Sequence, residues 1–365
     1  MLLLLRFLDG TRTPSQVASA WRQATGERLT TEEVEEVVKD LEEHLVLDGP
    51  RVVEARSRAR EAYRALTARP PACAGTSYPE DPAACGAFLD AHLASDGGAA
   101  VPDRVRALVA PHIDLRGGGP CHGAAARALA RCPAETFVVI GTAHAPIERP
   151  FALTTRDFDT PRGRVRTDRE LVERLASRAG GGLLDDELAH RREHSVEFQA
   201  LWLAHLAGRD GRDVAIVPVL AGSIHASIVS GRSPRDDPRV ADFVEALREI
   251  GRERGDRVTI VASVDLAHVG PRYGDAGAVD DAAMATVLEA DRGLLRHALA
   301  SDADGWLRFL HAEGDRRNVC GAAPGWALLA AIEPQGWRGT LLRHDAWEID
   351  PDTGSRVSFC AIAWA

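Results

Sequence analysis

Beyond residue 100 the chain carries four unbroken apolar runs: RALVA at 106–110, FVVIG at 137–141, VAIVPVL at 214–220 and VTIVAS at 258–263. Short runs without alternation, rich in valine and isoleucine, are the mark of strands covered on both faces. Between them, at 120–131, 168–178, 193–207, 238–253, 280–299 and 322–332, apolar positions recur every three or four residues, which predicts helices. RVSFCAIAW at 356–364 alternates and predicts a late strand. The pattern predicts an α/β domain with a central mixed sheet flanked by helices. No repeat of 20–50 residues interrupts it.

The first 50 residues are patterned differently. Pro14 opens a helix with Val17 and Trp21 four apart, and Thr30 and Glu33 have capping-box spacing. Val34, Val37, Val38, Leu41 and Leu45 then form one apolar face, which VLDG at 46–49 ends. This small helical unit resembles a PqqD-like or winged-helix-like module. The first resemblance implies peptide binding and the second DNA binding, which the acidic TTEEVEEVVKDLEEH suits poorly. A packing or dimerisation appendage is an equal alternative. Residues 51–71 read as a linker helix broken at Pro70-Pro71, and 72–365 as the main domain.

Charge and cysteine usage narrow the classes. Lys and Arg total 44 against 54 Asp and Glu, a net charge of −10, which argues against nucleic-acid or anionic-membrane binding. The six cysteines have irregular spacing and no C-x-x-C pair, so free thiols and a cytoplasmic location are expected. MLLLLRFLDG lacks a basic start and a small-residue cleavage site, and no apolar stretch is long enough for a membrane span.

The chemistry gathers where the apolar runs end. RALVA runs into Pro111-His112, FVVIG into Thr142-Ala143-His144, and VTIVAS into Val264-Asp265-Leu266-Ala267-His268. In open α/β sheets ligands bind at the carboxyl ends of strands, so three such exits point to one cleft. EHSVEFQ at 193–199 adds His194 at a helix start, where the dipole favours a neutral imidazole suited to acid–base work; a plain capping cluster is the other reading. Cys320, in RNVCGAAPG, has no cysteine partner. With His112 and His144 it makes a three-ligand site whose nitrogen and sulfur donors suit Fe(II), Cu(I) or Zn(II). Asp265 and His268 complete the cleft as supporting or acid–base groups. The competing reading makes Cys320 the nucleophile of a cysteine hydrolase.

These segments resemble a family. APHIDLRGGG (110–119), IGTAHAP (140–146), EHSVEFQ, SVDLAHVG (263–270) and NVCG (318–321) occur in the order of the Memo family, also called AmmeMemoRadiSam system protein B. AGTSYPEDP (74–82) and FDTPRGRVRTD (158–168) are similar to further segments of it. The resemblance spans about residues 70–365 and implies a fold related to class III extradiol dioxygenases, which use non-haem iron. By resemblance, His112, His144 and Cys320 are the metal ligands, and His268, Asp265 and His194 the catalytic residues. Ile113-Asp114-Leu115 depart from the family's motif.

The expectation is an iron-dependent (or copper- or zinc-dependent) redox or oxygenase-like enzyme, with His268 oriented by Asp265 and His194 across the substrate. An unknown small aromatic or peptide substrate is expected, and the family's name implies radical-SAM and AMMECR-type protein partners. The alternatives are a scaffold protein that kept the cleft, and a zinc- or cysteine-dependent hydrolase.

Overall fold

A computed structural model describes residues 2–95 and 97–365. The chain divides into two compact units, Met1–Ala65 and Leu66–Ala365. The first holds α1 (Leu2–Leu5), α2 (Pro14–Thr25), α3 (Thr31–Glu43) and α4 (Pro50–Arg64). Both expected starts are capping boxes: Thr13 pairs with Gln16, and Thr30 with Glu33. Leu4, Val17 and Val34 form its small core. The helix expected as a linker over 51–71 is α4, which stops at Arg64 and groups with this unit. The chain then extends, because Ala68–Arg69 (β1) pairs as a strand before Pro70 is reached.

The second unit runs β1, α5 (Pro82–Leu93), β2 (Ala107–Ala110), α6 (Leu115–Leu129), β3 (Thr136–Thr142), β4 (Phe151–Leu153), β5 (Asp157–Thr160), β6 (Gly163–Thr167) and α7 (Arg169–Arg178). It continues with α8 (His194–Asp210), β7 (Ala215–Ala221), α9 (His225–Ser230), α10 (Pro238–Arg254), β8 (Val258–Ser263) and β9 (Asp265–Val269). Last come α11 (Asp281–Leu299), α12 (Ala303–Glu313), α13 (Ala322–Ile332), β10 (Gly339–Asp350) and β11 (Ser355–Trp364). Strand order is β1-β5-β6-β7-β3-β8-β2-β11-β10, with β4 on β7 and β9 on β11. Strands β2, β8, β3, β7 and β6 are parallel, and β10 and β11 antiparallel, so the sheet is mixed and helix-flanked, as the pattern predicts.

Alternate side chains feed two cores. Val138 and Ile140 of β3 face α7, α10 and α13, whereas Phe137 and Val139 face α5, α6 and α8. Burial on both sides is why these strands carry no polar alternation. Four of the parallel strands, β2, β3, β7 and β8, therefore deliver their following loops to one edge. No described helix is long and apolar enough to cross a membrane.

Helix α6 begins at Leu115, five residues before the expected segment at 120–131. Its glycine run hides the pattern, and close packing explains the glycines. A Cβ on Gly117 would lie 2.0 Å from the Trp347 ring, and one on Gly119 2.0 Å from His92. The β5–β6 hairpin and β10 were not expected from the pattern. The hairpin is four and five residues long, and β10 is an edge strand with few buried positions.

Candidate metal centre

Three segments bring a histidine each, and a fourth brings Cys320, to the carboxyl edge of the sheet. His112 follows β2, His144 follows β3, and His194 is the first residue of α8. One ligand atom from each of these three lies within 4.8 Å of the others. Cys320 Sγ sits 3.2 Å from His112 Nε2. The rings of His144 and His194 stack with centroids 4.5 Å apart, and His112 stands edge-on to both.

The amino end of α8 clamps these strand exits together. Glu193, its cap, accepts the Ser195 N–H at 3.0 Å. The same buried carboxylate accepts the His144 backbone N–H and pairs with His144 Nδ1, both at 2.9 Å. Ser195 Oγ donates to the Thr142 carbonyl at 2.9 Å, close against Gly141, where a Cβ would lie 2.3 Å from that oxygen. Gln199 Nε2 donates to the Pro111 carbonyl at 2.8 Å. Glu197, one turn below Glu193, is wholly buried against Arg69 at 2.6 Å. It also accepts the N–H groups of Ala72 and Cys73 and the Tyr78 hydroxyl. EHSVEFQ is therefore both a cap and a clamp.

Each imidazole has one nitrogen committed. His112 Nδ1 contacts the Ser263 carbonyl at 3.0 Å, His144 Nδ1 contacts Glu193, and His268 Nδ1 contacts the Leu266 carbonyl at 3.0 Å. Tying Nδ1–H to an oxygen leaves the Nε2 lone pair free, the usual state of a ligating histidine. His194 Nδ1 lies 3.4 Å from Glu193 Oε1, a looser tie.

Asp265 and His268 share a face of β9 although they are three positions apart, because a bulge sets them opposite Phe359 and Val357 of β11. Asp265, the expected orienter of His268, has its contacts to His112. Its Oδ1 accepts the His112 backbone N–H at 2.9 Å and its Oδ2 lies 3.7 Å from His112 Nε2. The Leu266 carbonyl orients His268 instead.

Cys320 stands at the mouth of a short turn. Gly321 N–H donates to the Asp265 carbonyl at 2.9 Å, and a Cβ on Gly321 would fall 2.2 Å from Val264 and 2.5 Å from that carbonyl. Gly321 thus serves close packing on the β8–β9 connection. Helix α13 spans Ala322–Ile332, as the apolar pattern predicts. A second buried network lies behind this turn. Arg317 pairs with Asp291, which also accepts the Ser358 hydroxyl at 2.5 Å and faces His344 Nε2 at 3.3 Å. The Arg317 carbonyl accepts the His268 N–H at 2.7 Å.

Burial sets the charge states. It holds the His112 imidazole well below its ordinary value, helped by His144 and His194, and lowers His194 and His268, the last to about 4. For His144, burial pulls down, but the hydrogen bond and charge of Glu193 outweigh it and the net shift is upward. Burial raises Asp265 to about 7 against the N–H groups it accepts, and raises the Cys320 thiol well above its usual value, with Asp265 adding to it. Imidazoles clustered beside a thiol, with acidic groups behind them, are a donor set that a thiophilic transition metal could use.

Glu193, Glu197 and Arg69 were missed as site-forming residues by sequence reasoning. Glu193 and Glu197 were visible only as helical spacing, and nothing local marks Arg69 as their distant partner.

A family model described as Memo-like protein matches residues 69–363. A MEMO1 family protein of Thermus thermophilus is 31% identical over 334 residues, covering 91% of this chain and 93% of its own. One from Aquifex aeolicus is 26% identical over 365 residues, all of this chain and 91% of its own, so its match extends through the helical unit. One from Thermococcus kodakarensis is 29% identical over 303 residues, 81% of this chain and 99% of its own. The match runs along almost the whole of the unit that carries the histidine cluster, and on that evidence the chain belongs to the Memo-like protein family.

Proposed function

We propose that the chain is a cytoplasmic metalloenzyme of redox, oxygenase-like type, with His112, His144 and Cys320 holding a mononuclear iron(II). Copper and zinc are the alternatives that the same donors would accept. One observation carries the reading: His112, His144 and His194 converge within 4.8 Å, with Cys320 Sγ 3.2 Å from His112 Nε2. The fit rests on chemistry as well as proximity, since His112 and His144 each have Nδ1 committed to an oxygen, and His112 Nε2 is turned to Cys320 Sγ. Iron or copper held there would supply redox chemistry, and zinc Lewis-acid chemistry.

The chain's own residues supply the rest. Glu193 fixes the His144 ring and raises its basicity. Asp265 fixes the backbone at His112. His268, neutral and with Nδ1 tied down, offers Nε2 as acceptor or donor of a proton at a bound substrate. His194, stacked on His144, bounds the other side.

The test is metal content after anaerobic purification, with single and triple alanine variants. The expected result is about one iron per chain in the native protein and none in a His112/His144/Cys320 triple variant. Full metal retention in that triple variant would sink the ligand assignment. Loss in His194→Ala with retention in Cys320→Ala would transfer the third position to His194.

A further inference from the structure

Beside Cys320 lies a cavity of about 340 Å³, at the lower end of the range for small-molecule sites. Ala221 and Gly222 at the end of β7 form its floor, and Ala322 and Ala323 at the start of α13 form a wall. Its polar lining comes from Thr142, Ser223, His225, Asp315, Asn318 and Cys320.

Those groups are unequally committed. Thr142 already donates its hydroxyl to the Cys320 carbonyl at 3.1 Å, and Asn318 donates its amide nitrogen to the His268 carbonyl at 3.2 Å. Thr142 Oγ1 remains as an acceptor, and Asn318 keeps its Oδ1 as an acceptor and one amide hydrogen as a donor. Ser223 Oγ accepts the His225 N–H at 3.1 Å. One oxygen of Asp315 accepts the Val319 N–H at 3.1 Å, while the other has only His225 Nδ1 at 3.9 Å. Among the described residues no arginine or lysine lines the space. The cavity is therefore rich in acceptors, holds one carboxylate and lacks a fixed cation.

The turn that builds this wall is also strained. Asp315 and Asn318 both adopt left-handed backbone, with φ of 52° and 48°. Neither is glycine, and such conformations cost about 1 kcal/mol or more each unless the surroundings impose them.

We propose that this cavity is the ligand subsite beside Cys320, and that it takes the protonated amine end of a small molecule, held by Asp315. The inference deepens the metal-centre reading and rests on it only for what the ligand is presented to. Asp315 supplies the counter-charge, and Thr142, Ser223 and Asn318 supply neutral acceptors.

The test uses metal-free protein and a matched pair of thiol reagents, methanethiosulfonate ethylammonium and methanethiosulfonate ethylsulfonate. The Cys320 thiolate attacks the reagent's sulfenyl sulfur, forming a mixed disulfide and releasing methanesulfinate. Peptide mass mapping reads the rate at Cys320 alone, divided by the rate on free cysteine. The ammonium reagent is expected to react at least tenfold faster than the sulfonate. Asp315→Asn should bring the ratio to within twofold of one, and Asp315→Glu should keep it above five. Ala322→Leu, which fills the cavity, should slow both reagents alike. Equal rates in the native protein, or a preference that survives Asp315→Asn, overturns the proposal. So does an unslowed Ala322→Leu. Metal content is read separately before metal removal, so a chain that keeps the preference but retains no metal loses the metal-centre reading alone.

Discussion

Glu197→Gln removes one charge from a pair in which both side chains are fully buried. The replacement is nearly isosteric; its one amide oxygen still accepts from the Cys73 N–H and the Tyr78 hydroxyl, which share Oε1, while its amide nitrogen faces the Ala72 N–H. What it leaves is the Arg69 guanidinium without a counter-charge, in a place water does not reach. Breaking a buried pair from one side costs about 3–5 kcal/mol, because the surviving charge stays desolvated. In a unit of this size about 1 kcal/mol moves the melting temperature by roughly 2 °C, so a fall of about 6–10 °C is expected. Arg69 Nη2 also donates to the Glu193 carbonyl at 3.2 Å, so the start of α8 should loosen with it. Urea unfolding and hydrogen exchange at the His194 and Ser195 amides read the two effects. Tyr78→Phe, which removes one hydrogen bond to the same carboxylate, should cost about 1.5–3 kcal/mol. An Arg69→Met/Glu197→Leu double variant should recover much of the loss, since no unpaired charge remains. A Glu197→Gln loss below about 1 kcal/mol, with no coupling to Arg69 in the cycle, would refute this account of the clamp.

Other outcomes follow from the same contacts. Glu193→Gln withdraws the charge behind His144 and should weaken metal binding about 10–100-fold, read by competition with a chelator; an unchanged affinity would count against His144 as ligand. Gly321→Ala drives a Cβ to 2.2 Å from Val264 and should cost about 1–3 kcal/mol in urea unfolding, with the Cys320 turn displaced; a neutral result would disprove the close approach. Burial holds His122 and His190 at about 4 against an ordinary 6.5, so their stabilisation is complete above pH 6.5 and is lost as pH falls toward 4. At pH 5 each should subtract about 2 kcal/mol, and His190→Gln should flatten the fall between pH 7 and 5; an unaltered slope would remove His190 from the account.

The four parallel core strands were legible because burial on both faces suppresses alternation, leaving runs such as FVVIG. The start of α6 was not, because Gly117 and Gly119 answer to Trp347 and His92, which are far away in sequence. Strand β10 is paired only to β11, and its charged face gives no clean period. In the site, His112 and His144 announced themselves as strand exits, a local and directional signal. Glu193 looked like a cap and is one, but its second role depends on His144, 49 positions away. The pairing of Asp265 with His112 instead of His268 depends on the bulge in β9, which no spacing rule reveals.

The residues of the candidate site come from four separated segments. Two ion networks hold the segments from behind. Arg69 with Glu197 fixes the start of α8 and, through Glu193, His144. Arg317 with Asp291 fixes the turn that carries Cys320 and, through the Arg317 carbonyl, His268. Apolar residues of similar volume would stabilise the fold as well or better, since each buried charge must first be stripped of water. An apolar contact, however, is non-directional, whereas a guanidinium–carboxylate pair sets distance and angle together. The placement of one such network on each side of the cluster is therefore better explained by positioning than by stability. It also couples the two: a metal that binds only the assembled cluster stabilises the folded state by RT ln(1 + [metal]/Kd). Breaking either network should therefore lower metal affinity by more than the same loss of stability made at a distant core position.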